Sequence, residues 1–193
     1  MDLDHKLERL ERIYCTFEKK AAVYVSQAVC QPGCAECCTH VGEISVTTLE
    51  AYRIRLFLDG LSVFERQAIT RKIQINREEK RRSVLLPCPF LGPNGLCSVY
   101  AVRPFSCRRL YSVERCEVRG PVVHKDLWRL AEQTTRSIQK LDDAGYSGHL
   151  TAVLALFEDS SFVEDYEQGH FRPERLAERL RVDDLMINRA MGK

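Results

Sequence analysis

The chain has no run approaching the ~18 apolar residues of a membrane-crossing helix. Its first residues, Met1-Asp-Leu-Asp-His-Lys6, alternate charge where a secretory leader carries an apolar core. No membrane association is expected, and the expected location is cytoplasmic. Charge of one sign is lacking too. Lys and Arg number 29 against 27 Asp and Glu, a net +2, so nucleic acid is not an expected partner. The ten glycines never form G-x-G-x-x-G, which removes the dinucleotide-binding fingerprint. There is no internal repeat, no low-complexity tract and no convincing strand series. No general base, nucleophile or carboxylate pair stands out, so no catalytic residue is named.

What is present suits a folded soluble chain. At 193 residues with 45% hydrophobic and 29% charged content, one domain with a real core is the default. The expected organisation is a single domain over 1–193. Its cysteine-rich core lies at about 30–116, with helical extensions at both ends.

Eight of the nine cysteines form two blocks. The first is Cys30-x3-Cys34-x2-Cys37-Cys38, and the second is Cys88-x8-Cys97-x9-Cys107-x8-Cys116, with 49 residues between them. Thiolates are soft ligands suited to zinc, Cu(I) and iron–sulfur clusters, and tetrathiolate sites need four. Thiols stay reduced in the cytosol, and an odd count leaves one over in any full disulfide scheme. Metal therefore explains the blocks better than disulfides. All eight block cysteines are candidate ligands, in one mixed site or in two. Sulfurs of the two blocks are expected to converge. Adjacent Cys37 and Cys38 diverge in regular structure, so one of them is expected to serve another site or to pack as core. Cys15 reads as a small half-buried residue of a helix face. His40 and His124 are possible substitutes that read better as surface residues.

Helical periodicity dominates elsewhere. Leu3, Leu7, Leu10, Ile13, Tyr14, Phe17, Ala21 and Tyr24 form a stripe in the first 29 residues. Gln31-Pro-Gly33 breaks it. Thr47-x-x-Glu50 and Ser62-x-x-Glu65 predict two further helix starts, with Gly60 between them as a stop. Phe64, Ala68, Ile69, Ile73 and Ile75 carry the second of these helices. It ends in a charge run, Arg77 to Arg82, that reads as a solvated face. Residues 83–124 are punctuated by proline and glycine. So long an irregular segment needs an anchor, and metal ligation by its four cysteines would supply one. Leu127, Leu130, Ala131, Thr134, Ile138 and Leu141 predict a helix, residues 150–157 another, and Pro173 a third. Residues 158–184 hold nine acids and four arginines, an acidic face without an evident partner. The fold class expected is mainly α, with helices around a cysteine-rich, loop-rich metal-binding centre.

Arg103, Arg108 and Arg109 flank Cys107. They read equally as surface salt-bridge partners or as guanidinium groups offsetting thiolate charge or binding an anion. Pro89 and Pro104 stiffen the loops that present the sulfurs.

The same residues resemble the YkgJ-like cysteine-cluster family, a CxxCxxCC zinc- or iron-chelating domain. The likeness runs through Cys30-Gln-Pro-Gly-Cys34-Ala-Glu-Cys37-Cys38 and Ile44-Ser-Val-Thr-Thr-Leu-Glu50. It continues in Cys88-Pro-Phe-Leu91 and Gly95-Leu-Cys97-Ser-Val-Tyr100, and closes with Arg103-Pro-Phe-Ser-Cys107-Arg108. The first gap is x3 where the family has x2. The resemblance implies a metal or iron–sulfur domain of the kind often labelled oxidoreductase. Flagellin lysine-N-methylases, which are longer, carry a related cysteine arrangement. Three functions follow: an iron–sulfur protein with a redox role and a protein partner, a structural zinc module for protein interaction, and a lysine-methylase-like modification enzyme. An iron–sulfur cluster is the expected cofactor, with zinc as the alternative.

Overall fold

Asp2 caps the first helix, α1 (Leu3–Val25), by accepting from the His5 amide at 2.9 Å. The computed structural model describes residues 2–31, 33–39, 42–80, 82–83, 85–116 and 120–189. Leu10, Tyr14, Phe17 and Ala21 of α1 are buried against Leu127, Ala131, Ile138 and Leu141 of the later helix α6 (Lys125–Leu141). Both stripes are those the periodicity predicts. Each large apolar side chain buried here contributes roughly 1.5–3 kcal/mol, so this helix pair does not depend on sulfur. Cys15 lies on the outer face of α1 and is exposed, not half-buried.

Between these helices the chain folds as α2 (Glu36–Thr39), β1 (Ser45–Thr47), α3 (Thr48–Asp59), α4 (Val63–Lys80) and α5 (Phe105–Arg108). After α6 come β2 (Tyr146–His149), α7 (Leu150–Leu154), α8 (Ser160–Glu167), α9 (Ala177–Val182) and β3 (Met186–Ile187). The mainly helical class is as expected, but the small antiparallel sheet, ordered β1-β2-β3, is not. Its strands are two to four residues long, too short for alternation to register. β1 runs straight into α3 and β2 straight into α7, so the Ser45–His149 register fixes where both helices start. Their apolar faces bury Ile54, Leu150 and Val153. These share a second core with Tyr146, Phe162 and Tyr166, and with Cys88, Phe90 and Val99 from the irregular segment. The helix expected at Pro173 is a 3-10 turn, Pro173–Leu176, leading into α9.

Both capping patterns form. Thr47 and Glu50 make the reciprocal box, and Ser62 and Glu65 exchange the equivalent bonds. The stripe on α4 does not bury as expected. Only Ile73 and Asn76 are buried, while Phe64 is 82% exposed. α4 crosses the surface, held to the larger core by Ile73 and Ile69 and otherwise by polar contacts. Asn76 Nδ2 donates to the Pro87 carbonyl at 2.9 Å, and Arg77 pairs with Asp183 at 3.1 Å and with Glu158 at 3.8 Å. The charge run is therefore a tether as well as a solvated face. The acids near the C-terminus are partnered internally: Asp165 meets Arg172 and Arg175, and Asp183 also meets Arg179. Among the described residues no helix is long and apolar enough to cross a membrane.

Asp142, fully buried at the end of α6, joins four elements. It accepts from the Leu49 amide at 2.9 Å, the Tyr166 hydroxyl at 2.7 Å and Asn188 Nδ2 at 3.1 Å. Gly145 is required beside it, because a Cβ there would run into the carboxyl group. Burial pushes the Asp142 carboxyl from 3.8 up to about 7, against the opposing effect of these hydrogen bonds. The folded state thus keeps a proton that the unfolded state releases. The resulting stabilisation is complete below about pH 4 and is lost as pH rises through about 7. Asp142→Asn should remove a decline on the order of 3 kcal/mol across that interval. Urea unfolding of both proteins from pH 4 to pH 8 measures it, and parallel pH profiles would contradict it.

Candidate metal centre

The first block is built by a turn and a single helical turn. The Cys34 amide donates to the Gln31 carbonyl at 2.9 Å, Gly33 takes φ +85°, and α2 follows with Cys37 and Cys38 in sequence. The thiols of Cys37 and Cys38 hydrogen-bond each other, and Cys38 packs against the larger core.

The second block uses a hairpin. Leu91 and Cys97 form an antiparallel bridge, the Gly92 amide donates to Leu96 O at 2.8 Å and the Ser98 amide to Phe90 O at 2.9 Å. Gly95 turns the tip at φ +75°, close to Gly33 of the first block. The x8 spacing of Cys88 and Cys97 is therefore a folded-back hairpin. A 3-10 turn, Tyr100–Val102, then leads to Pro104, which precedes the first turn of α5 and Cys107.

The two blocks meet through the backbone. The Cys88 amide donates to the Cys38 carbonyl at 2.7 Å. Cys88 feels the charges of Cys97 and Cys37, Cys97 feels that of Cys37, and Cys107 feels those of Cys88, Cys97 and Cys37. All six pairings of Cys37, Cys88, Cys97 and Cys107 thus interact. Cys88 is buried and the other three are half-buried. Cys116 stands apart and feels Cys30, Cys34 and Cys37.

Burial pushes the Cys88 thiol up to about 11 and raises Cys97 and Cys107. Cys37 is raised first by its bond to Cys38 and then by burial. Opposing this, the amides of Phe90 and Leu91 bond the Cys88 sulfur, and the Val99 amide bonds that of Cys97. Such donors favour a charged sulfur. Among the described residues no three His, Cys, Asp or Glu side chains are gathered closely enough to hold a metal ion as they stand. The donor set nevertheless fits a thiophilic metal in kind: four soft sulfurs in one neighbourhood, two already supplied with amide donors. Loading would close them together.

The three arginines separate. Arg108 pairs with Glu18 at 2.6 Å and lies over Tyr14, and Arg109 pairs with Glu132 at 3.3 Å and lies over Trp128. Arg103 stacks on Tyr100 at 4.1 Å without a carboxylate partner among the described residues. Its charge favours the thiolate of Cys37, Cys97 and Cys107. His124 caps α6 and stacks on Tyr24; His40 lies outside the described residues.

Glu50 is the functional residue whose full role the sequence hides. Besides its capping box it accepts from the Tyr14 hydroxyl and from the Phe105 amide, each at 2.7 Å. It thereby fixes the turn that carries Cys107. Only its capping half has a local pattern.

A mainly helical fold that brings two cysteine blocks against one another defines a cysteine-cluster protein. Residues 29–122 match the family model described as "CxxCxxCC: Putative zinc- or iron-chelating domain". The match is confined to that segment, and the YkgJ-like resemblance fits it. No curated protein and no solved structure matches the chain.

Two substitutions test this geometry. Glu50→Ala leaves three buried donors unpaired and should cost on the order of 3 kcal/mol. In metal-free protein it should also speed alkylation of Cys107, and an unchanged rate would contradict the positioning role. Arg103→Gln should weaken zinc binding about tenfold, the loss of roughly 1.4 kcal/mol of charge-assisted interaction, without lowering the Tm of metal-free protein. Arg108→Gln should do the reverse. Chelator competition and thermal melts separate the two, and equal effects would refute the distinction.

Proposed function

We propose that the chain is an iron–sulfur protein with a redox role, in which Cys37, Cys88, Cys97 and Cys107 hold a cluster of the [4Fe–4S] type. The observation that carries this reading is that the Cys88 amide meets the Cys38 carbonyl at 2.7 Å, joining the two blocks, while Cys97 and Cys107 pack against the same core as Cys88. Four thiolates suffice for such a cluster. The amides of Phe90, Leu91 and Val99, with Arg103, would tune its charge. Once bound, the cluster supplies one-electron chemistry. The protein's part is to hold the sulfurs, limit water at Cys88 and leave the half-buried side within reach of a redox partner.

A structural zinc module uses the same four sulfurs, and metal content separates the two. The methylase-like reading gains no support from the cavities described. The larger, about 330 Å³, is lined by residues including Arg55, Phe157 and Glu164 and by no cysteine.

Anaerobically purified protein should be brown, contain iron and sulfide, and bleach on reduction. Colourless protein with stoichiometric zinc would establish the zinc module instead. Serine at Cys37 or Cys107 should abolish the absorption, whereas Cys15→Ser should leave it intact. Limited proteolysis after metal removal should cut near residues 30–39 and 109–116, while α1 and α6 persist through their apolar contacts. Equal resistance with and without metal would mean that the sulfurs do not hold these loops.

A further inference from the structure

The smaller cavity, about 60 Å³, lies between β2, α8 and the chain that follows α8, and no cysteine lines it. Since one water needs roughly 10–15 Å³ of such space, it has room for about four or five non-hydrogen atoms. Tyr146 forms part of its wall and is 2% exposed. The backbone of Tyr146 is satisfied by Thr48, whose hydroxyl accepts from its amide at 2.8 Å and donates to its carbonyl at 3.1 Å. Phe162 and Phe171 hold the ring, with centroids 6.2 and 6.0 Å away. The Tyr146 hydroxyl makes no hydrogen bond to any described residue. A buried tyrosine hydroxyl ordinarily has a partner, and here the cavity is where one would sit. Burial, with Glu174 and Asp165 nearby, pushes this hydroxyl up to about 12, so it keeps its proton at neutral pH and can donate. The rim supplies further donors. Asp165 takes Arg175 at 2.8 Å, Arg172 at 3.3 Å and His170 at 3.7 Å. Each guanidinium has five N–H donors, and one carboxylate cannot occupy both forks, so N–H groups remain. The other acid of the cavity, Asp159, is engaged in capping α8 through the amides of Ser161 at 2.9 Å and Phe162 at 3.4 Å. Ala144, Phe162 and Leu176, all buried, give the cavity an apolar side.

We propose that this cavity binds a short-chain carboxylate, with the carboxylate group held by the Tyr146 hydroxyl and the spare donors of Arg172 and Arg175, and the short alkyl end set against Phe162 and Leu176. Guanidinium forks match the planar geometry of a carboxylate. A few precisely placed polar groups on an otherwise apolar wall are what a small-molecule site requires. A cation would meet two guanidinium groups at the rim. Phosphate shares the oxyanion chemistry, but it has no apolar part for the wall and would bring more negative charge beside Asp159 and Asp165. The site shares no residue with the cysteine centre, so the inference does not rest on which metal the sulfurs hold.

The test uses the full chain and propionate, with binding read by saturation-transfer NMR on the methyl protons of the ligand. Saturable binding is expected. Tyr146→Phe removes the hydroxyl and keeps the ring, and it should weaken binding at least about tenfold without lowering the Tm of ligand-free protein. Arg175→Gln, on the exposed rim, should weaken binding by a similar factor, whereas Arg12→Gln on α1 should leave it unchanged. Inorganic phosphate at matched ionic strength should displace propionate at least about tenfold less well than acetate does, a difference set by the apolar wall. No saturable binding, or binding that Tyr146→Phe leaves unchanged, would overturn the site and leave a cavity that holds only water. Phosphate competing as well as acetate would overturn the carboxylate assignment. If Tyr146→Phe fails to fold, Arg175→Gln decides, and unchanged binding in that variant overturns the proposal.

Discussion

The carboxyl group of Glu50 is the constraint on which the cysteine centre depends. It closes the cap of α3, receives the hydroxyl of Tyr14 from α1, and receives the first amide of α5. Each is a donor that burial would otherwise leave unpaired. Because one side chain serves all three, the start of α3, the middle of α1 and the turn carrying Cys107 cannot shift independently. Tyr14 is tied in further, with Arg108 lying over its ring and Arg108 in turn pairing with Glu18. The hydrogen bond from Ser106 Oγ to the Ser45 carbonyl ties the same turn to the sheet.

Around that tie the two apolar cores share the work of holding an irregular segment. Phe90 and Val99 are inserted into one core and Phe105 into the other. The segment from 88 to 105 is thus anchored by hydrophobic burial at three points, and its loops present sulfur between the anchors. These apolar anchors stand beside the metal ligation expected from the segment's irregularity. Between Tyr111 and Val123 no apolar side chain is buried among the described residues. The polar contacts of Ser112, with the Cys30 sulfur, the Glu114 carbonyl and the Val122 amide, take over there, and the cysteines they organise are the more exposed ones. The sulfurs thus differ in how firmly the fold holds them, and the difference follows from which side chains anchor each loop.

Much of this was legible in the sequence, and the misses have a common cause. The stripe of α6, the capping boxes at Thr47 and Ser62, and the two cysteine blocks are local patterns, and local patterns carry their own physical reason. The sheet was missed because its strands are shorter than one readable period. The stripe of α4 misled because helical periodicity says that a face is apolar, not that a partner covers it. The three arginines near Cys107 looked equivalent in sequence. They were separated only by Glu18 and Glu132, residues far away in the chain. Glu50 was readable as a cap and unreadable as a hub for the same reason: Tyr14 and Phe105 are distant in sequence, and the hydrogen bonds to them leave no spacing behind.

The thiols of the quartet face two opposed effects, and their balance bears on how such a site works. Burial favours the neutral thiol, as the elevated Cys88 shows most directly. The amides of Phe90, Leu91 and Val99 and the charge of Arg103 favour the thiolate. Without metal, burial prevails and the sulfurs are protonated at neutral pH, which makes them poor nucleophiles and slow to oxidise. A metal reverses the balance, because it binds only the deprotonated form and displaces the protons. The same amides and guanidinium then favour the thiolate charge that the metal requires. Burial therefore protects the empty site, while the fixed dipoles and Arg103 favour the loaded one. The two requirements are met by different atoms of the same few residues.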